Sequence, residues 1–525
     1  MKTINASGSE GRNPGSAAFP VHMLFIAVFP ILSLYGHNVT QVSFSSVIRS
    51  LVIAPVIVFV VFLIIFAFSR KFLFSSLITT LGFLFFHTIV PFQSLIIKIS
   101  PLEPVARLRF LIPFFLILFC LCAYFLLTKI RIYQSLTKFL NFFTLCLLII
   151  PGFQISDYFL DIQSKKSTNI ANNPDILTGQ NQNVDPPDIY YLILDSHGRS
   201  DNIDHELGFD NSELLGHLEE LGFYIAGCSN ANYPSQTWQS MSATLNMAYF
   251  DHEKIKTQDP VQTQKEGMNR FKENMVLQKL EQYGYTFVSF KAVYDFLNFT
   301  EHKYYLDYTY YPGTSIHQLT NFELELLKNT PVSVISETLI DRDYKVQYDN
   351  TIAMLNELHQ IPTSIPSPKF VYAHILIPHA PYIFSPTGEF VLPENAYAFS
   401  AEKYVDQVQF IDTEIRDIVD VIIKTSAQPP VIIIQGDHGY PSETLEGKAG
   451  ILNAYYFPEV AAAQYLYPEI TPVNTFRLIF DLYFGEDLEL LPDQVYFDNR
   501  SPDWDQQDYF QIPYEFILLE DSACN

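Results

Sequence analysis

The sequence predicts a multi-span α-helical membrane domain followed by an α/β domain with a largely parallel central sheet. Three observations carry that expectation. Five apolar runs crowd the first 155 residues, the charge reverses sign near residue 155, and from residue 188 short apolar strand-like runs alternate with longer amphipathic stretches. A chain of 525 residues also exceeds one ordinary domain. Residues 1–155 hold eleven Lys and Arg against only Glu10 and Glu103, a net +9, while the remainder holds 54 acidic and 21 basic side chains, a net −33. Such an acidic second part argues against a nucleic-acid binder, whose affinity depends on basic contacts to phosphate, and is compatible with a bound divalent cation.

The apolar runs fall at about 19–36, 51–68, 72–92, 108–128 and 139–155, each near the roughly 20 residues that a bilayer-spanning helix needs. Five spans are the natural count, with the first and last short. No small-residue cleavage site follows the first run, so it reads as a span and not as a cleaved signal. With the amino terminus inside, Lys2, Arg12, Arg70, Lys71, Lys129, Arg131 and Lys138 are cytoplasmic, against Arg49, Lys98, Arg107 and Arg109 on the other side. The excess of seven over four favours this orientation, and an odd number of spans then exports everything after residue 155. The expected location is the inner (cell) membrane, with the second domain extracytoplasmic. Cys120, Cys122 and Cys146 lie in apolar runs as small hydrophobes. Cys228 and Cys524, the two cysteines of the acidic part, leave one disulfide open.

Residues 156–187 contain Ser-Lys-Lys-Ser, Asn-Asn-Pro, Gln-Asn-Gln-Asn and Asp-Pro-Pro, which read as a linker. The α/β domain is expected over 188–525. Its strand candidates are 188–194, 286–290, 370–376 and 431–435. Three of these four run directly into polar, metal-competent residues, and open α/β sheets bind ligands just outside the carboxyl ends of their strands.

The first such end is Leu-Asp195-Ser-His-Gly-Arg199 and the last is Gln-Gly-Asp437-His438-Gly439-Tyr440. Asp, His and Gly at a strand end offer an oxygen and an imidazole to one ion, with a sharp turn at the glycine. Taken singly, Asp195 also reads as a strand-terminal cap and Asp437 as a turn residue. Between them, Ser235-Gln-Thr237-Trp-Gln-Ser240 passes from a loop into a helix, where a hydroxyl at the amino terminus either caps the helix or serves as a nucleophile beside an anionic ester.

These segments, in this order, resemble the alkaline phosphatase and sulfatase superfamily over roughly 187–460. Leu-Asp195-Ser is similar to the family's first metal-binding strand end, Thr237 falls at its nucleophile, and Asp437-His438-Gly439 matches its late metal motif. His374-Ile-Leu-Ile-Pro-His379-Ala-Pro-Tyr382 resembles its middle segment. Spans followed by an exported domain further resemble the lipoteichoic acid synthases and the phosphoethanolamine transferases, which move a phospho-alcohol group from a phospholipid donor onto an envelope glycan or lipid acceptor. The resemblance implies an alkaline phosphatase-like fold and one divalent ion, manganese or zinc ahead of magnesium or calcium. It also implies Asp195, Thr237, Asp437 and His438 as ligands and Thr237 as the covalent nucleophile.

Departures sharpen the expectation. Thr237 is followed by Trp-Gln-Ser-Met, without the Cys/Ser-x-Pro-x-Arg pattern that formylglycine formation needs, so formylglycine-dependent sulfate-ester hydrolysis is disfavoured. Asp195 is followed by Ser196 where true sulfatases have a second acid. His379 is the candidate for leaving-group protonation or substrate contact, and His374, inside a strand, reads as a substrate contact or as a buried structural histidine. Arg199 is the candidate for a bidentate grip on phosphate, or for an ordinary ion pair. His197 is an outside candidate for a second metal, and Ser235 and Ser240 are alternative nucleophiles. A phosphate or sulfate ester hydrolase and a non-catalytic envelope sensor or assembly partner are the rival readings. The membrane anchor favours a lipid-borne donor.

Overall fold

The computed structural model describes residues 18–39, 42, 44–97, 106–129, 132–169, 186–307, 319–393, 398–458, 464–500 and 512–519. The chain divides into two compact units, one of residues 1–172 with 319–339 and one of 173–318 with 340–525.

The first unit contains α1 (His22–His37), α2 (Phe44–Ser69), α3 (Phe72–Ile97), α4 (Leu108–Thr128), α5 (Tyr133–Leu147) and α6 (Ile149–Asn169). Among the described residues four stretches, Phe44–Ser69, Phe72–Ile97, Leu108–Thr128 and Tyr133–Leu160, are long and apolar enough to cross a membrane. The last joins α5 to the start of α6. At 1.5 Å per residue, the 26 residues of α2 reach about 39 Å, beyond the roughly 30 Å hydrocarbon core. The 16 residues of α1 reach only about 24 Å. Large apolar side chains on α2 and α4 face outward, among them Val56, Phe59, Leu63, Phe114 and Ile117. Water penalises such surfaces and lipid does not. Of the segment read as linker, residues 156–169 continue α6, and 170–185 lie outside the described residues. Among the charges counted for orientation, Lys2, Arg12, Lys98 and Arg131 also lie outside them.

Residues 319–339, grouped by the sequence with the α/β domain, belong to the membrane unit. The helix Asn321–Lys328 opens with a capping box in which Thr320 and Glu323 satisfy each other's backbone amides. Phe322 is buried against Ile31, Tyr35, Val39 and Val47. Arg49 grips both carboxylate oxygens of Glu323, with Nε 2.7 Å from Oε1. One of the four cations opposing the orientation rule is therefore neutralised locally.

The second unit is built on a seven-stranded sheet of β1 (Ile189–Leu194), β2 (Tyr224–Ile225), β3 (Thr286–Phe290), β4 (Tyr304–Leu306), β5 (Lys369–Ile375), β6 (Val431–Gln435) and β7 (Asn453–Tyr456), in the order β2-β7-β6-β1-β5-β3-β4. Every pairing is parallel except those of β7 with β2 and β6. A separate antiparallel pair joins β8 (Tyr496–Asp498) to β9 (Phe516–Leu518). Ile189, Tyr191 and Ile193 of β1 enter one apolar core and Tyr190, Leu192 and Leu194 the other, which is the two-faced burial of a central parallel strand. The helices Thr237–Asn246, Met275–Gln282 and Pro472–Phe484 contribute to the first core. Ser212–Leu221, Ser336–Leu358 and Ala401–Thr425 contribute to the second.

Register is pinned at the amino ends of the central strands. Asp188 accepts from the Lys369 backbone amide at 3.0 Å, from its ammonium at 2.5 Å and from Ser367 Oγ at 2.9 Å, and its carbonyl accepts from Val431 N at 2.8 Å. Aligning β1, β5 and β6 there brings their carboxyl ends side by side.

Candidate metal centre

Asp195 follows β1 directly, His374 is the sixth residue of β5, and Asp437 stands two residues past β6. Because β1 pairs with both β5 and β6, these three groups converge. Backbone bonds lock the arrangement: Asp195 N donates to Ile375 O, His379 N to Asp195 O, and Ser196 N to Asp437 Oδ1 at 3.0 Å. Ser196 adopts a left-handed φ of 66°, uncommon for a residue other than glycine. The Tyr404 hydroxyl clasps this turn, donating to Ser196 O and accepting from Gly198 N. Gly439 serves close approach: a β-carbon there would lie 2.2 Å from Gly447 O.

Two triads share Asp195. Asp195, His379 and His438 form one, and Asp195, His374 and Asp437 the other, with ligand atoms in each within 4.8 Å of one another. His438 Nδ1 lies 2.8 Å from Gly439 O and His379 Nδ1 2.6 Å from Ala380 O. Donation to these carbonyls leaves each Nε2 as the lone-pair nitrogen, the usual preparation of a histidine ligand, and that of His438 faces Asp195 and Asp437. His374 Nε2 lies 3.1 Å from Asp195 Oδ2, and the Tyr372 hydroxyl bonds its other nitrogen.

The residues fit a cation on one specific observation. Asp195 Oδ1 and Asp437 Oδ2 are buried and have no hydrogen-bond partner among the described residues, and each lies 3.6 Å from His438 Nε2. That spacing is too long for a hydrogen bond. Two ligands about 2.1 Å from a tetrahedral ion stand about 3.4 Å apart, close to what is found here. A buried carboxylate oxygen without a donor is otherwise costly. Burial by itself would raise the Asp195 pKa, yet the imidazoles of His379, His374 and His438 outweigh it and hold the carboxyl well below the usual range. For His438, burial favours the neutral ring, but Asp437, Asp195 and the Gly439 carbonyl prevail and push its pKa up.

The other sequence candidates are placed as follows. Thr237 opens its helix, is partly exposed, and its hydroxyl makes no hydrogen bond among the described residues. Ser235 Oγ accepts from Asp498 N at 3.0 Å, and Ser240 is buried within the helix. The fork of Arg199, the candidate for a phosphate grip or an ion pair, is engaged by Asp201 (Nε to Oδ1 2.7 Å, Nη2 to Oδ2 2.9 Å), and Nη1 reaches Asn230 Oδ1. This buried arginine braces the turn after β1. His197, the candidate for a second metal, has Nε2 on Asp412 at 2.8 Å and Nδ1 on Gly198 O at 3.0 Å, so both ring nitrogens are engaged away from the cluster. His379, the candidate for leaving-group protonation or substrate contact, and His374, read as a substrate contact or a structural histidine, each bring a nitrogen within 4.8 Å of candidate ligand atoms that include Asp195. Tyr404 and Asp412 were not anticipated; the signal for them is a tyrosine and an acid on the buried face of the amphipathic helix Ala401–Thr425.

No protein-family model and no curated protein matches the chain. Solved structures it resembles include the zinc complex of the C-terminal periplasmic domain of EcEptC from Escherichia coli, at 12% identity, covering 59% of this chain and 86% of that one, with a TM-score of 0.38. A protein in the alkaline phosphatase superfamily from Vibrio parahaemolyticus matches at 13% identity over 65% of this chain and 81% of that one, TM-score 0.36. The C-terminal periplasmic domain of the phosphoethanolamine transferase EptC from Campylobacter jejuni matches at 10% identity over 58% and 96%, TM-score 0.35.

Proposed function

We propose that the chain is a membrane-anchored, metal-dependent enzyme of the sulfatase-like type that transfers a phospho-group from a membrane phospholipid to an envelope glycan or lipid through a covalent Thr237 intermediate. The observation that supports it most is the pair of buried, unpartnered carboxylate oxygens of Asp195 and Asp437 facing His438 Nε2. Asp195, Asp437 and His438 would hold a divalent ion, zinc or manganese, with His379 and His374 as further ligand candidates. Bound there, the ion supplies Lewis-acid charge that lowers the pKa of a nearby hydroxyl and neutralises phosphoryl oxygens.

The chain's own groups do the rest. Thr237 Oγ1, at the start of its helix and without a hydrogen bond among the described residues, attacks phosphorus. An O–P bond forms at Thr237, the bond to the donor alcohol breaks, and the proton lost by Thr237 is returned to the departing oxygen. The helix amino terminus has no side-chain cap, so its amides favour the anionic ester. An acceptor hydroxyl then displaces Thr237 from phosphorus. The apolar helices keep the enzyme beside a lipid donor. An extracytoplasmic site for this chemistry is supported by the cation bias of the loops and by the disulfide at Cys228, a bond of oxidising compartments; Cys524, its expected partner, lies outside the described residues.

Intact mass of the full-length protein, incubated in mixed phospholipid micelles with manganese or zinc, tests the reading. An added phospho-alcohol mass is expected, absent in Thr237→Ala and absent with chelator. Phosphoester turnover that survives Thr237→Ala would remove the assignment.

A further inference from the structure

The segment carrying His379 has no sheet to hold it. β5 ends at Ile375, so the backbone polar groups from Leu376 onward need partners elsewhere. One side chain supplies four of those bonds. Gln407, fully buried in the helix Ala401–Thr425, donates through Nε2 to Pro378 O at 3.0 Å and to His379 O at 3.1 Å. Through Oε1 it accepts from Ile383 N at 2.9 Å and Phe384 N at 3.3 Å. Two donors meet two carbonyls and one acceptor meets two amides, so the network fixes the carboxamide orientation and leaves no capacity unused. His379 is thereby held at both main-chain polar atoms, N on Asp195 O and O on Gln407, while its Nδ1 rests on Ala380 O. The remaining freedom is the aim of the ring, which offers one nitrogen within 4.8 Å of ligand atoms of Asp195 and His438.

We propose that Gln407 is the positioning residue for His379: it touches no reacting atom and sets the aim of that imidazole at the metal centre. The proposal rests on the metal reading above. Outer partners that orient a ligand typically contribute about 10–100-fold to metal affinity.

The test is a double-mutant cycle on the full-length protein in detergent, with zinc chloride as probe and calorimetric affinity as readout. Gln407→Met keeps the volume and removes all four bonds. It is expected to weaken zinc binding about 10–100-fold. In a His379→Ala background the same change is expected to add nothing, because its effect passes through His379. Unfolding in chelator checks that each variant is folded. Should Gln407→Met not fold, Gln407→Glu, which keeps the two acceptor bonds, takes its place with the same expectation. Wild-type affinity in the Gln407 variant, or losses that simply add in the double variant, would overturn the proposal while leaving the metal reading intact. A wild type that takes up no zinc, or the same zinc as Asp437→Asn, would remove the metal reading and this proposal with it.

Discussion

The two ends of the central sheet treat buried aspartates in opposite ways. At the amino end, Asp188 has every carboxylate oxygen satisfied, by the Lys369 amide and ammonium and by Ser367. At the carboxyl end, Asp195 and Asp437 each keep one buried oxygen without a donor. The first is a closed ion pair that sets register; the second is a site left open to a cation. Burial is alike at the two ends, and what differs is whether both carboxylate oxygens find donors and whether imidazoles face the oxygen left over.

The largest expected effect belongs to the proposed nucleophile. Thr237→Ala should cut turnover by about 10⁴-fold or more while leaving zinc affinity within a few-fold of wild type, read by steady-state rates and calorimetry. Equal loss of affinity and rate would make Thr237 chiefly a ligand.

The closed end should respond in the opposite currency. Lys369→Met strands Asp188 without its cation and should lower unfolding stability by about 3–5 kcal/mol, with metal affinity unchanged. Asp437→Asn should abolish ion uptake yet leave the metal-free protein as stable as wild type or more so, by about 1–3 kcal/mol, since the amide can donate where the carboxylate could not. Chelator-treated melting curves separate the two. A strongly destabilised Asp437→Asn apoprotein would mean that this aspartate is structural too.

Acidity sharpens the contrast further. The folded pKa of Asp195 is depressed from its ordinary 3.8, so its contribution to stability is present above that value and is lost as pH falls. The folded pKa of His438 is raised from its ordinary 6.5, so its contribution is present below that value and fades as pH rises through the raised value. The metal-free protein therefore draws on both groups between 3.8 and 6.5. Above that window an ion takes over from the proton, so the stabilisation conferred by zinc should grow from acid toward pH 8, measured as the shift in melting temperature on adding the ion.

The smallest effect belongs to the membrane unit. The Arg49–Glu323 pair is partly exposed, 38% on the arginine side, so Arg49→Ala should cost about 1 kcal/mol or less and appear as faster proteolysis within residues 319–339. No change in cleavage would mean that Phe322 alone holds the segment.

Much of this contrast was legible in the sequence. Asp195, Asp437 and His438 stand at strand ends followed closely by glycine, and parallel strands gather such ends. The approach of His374 and His379 to Asp195 is not legible, because it depends on register set by Asp188 and Lys369 and on a loop bonded by Gln407. For Arg199 the sequence leaves a phosphate grip and an ion pair open, and the fork is engaged by an aspartate two positions on, a local pairing that spacing alone does not reveal. Residues 319–339 carry an ordinary capping box and amphipathic pattern, so nothing in them announces that Phe322 packs with the membrane helices.

The most direct measurement is an anomalous-difference map, collected at the zinc edge, on crystals of the full-length protein grown with zinc. A single strong peak about 2.0–2.2 Å from carboxylate oxygens of Asp195 and Asp437 and from His438 Nε2 is the predicted result. A featureless map there, with ordered hydrogen-bond donors meeting both carboxylate oxygens, would make the carboxyl end of the sheet as closed as the amino end and contradict the account.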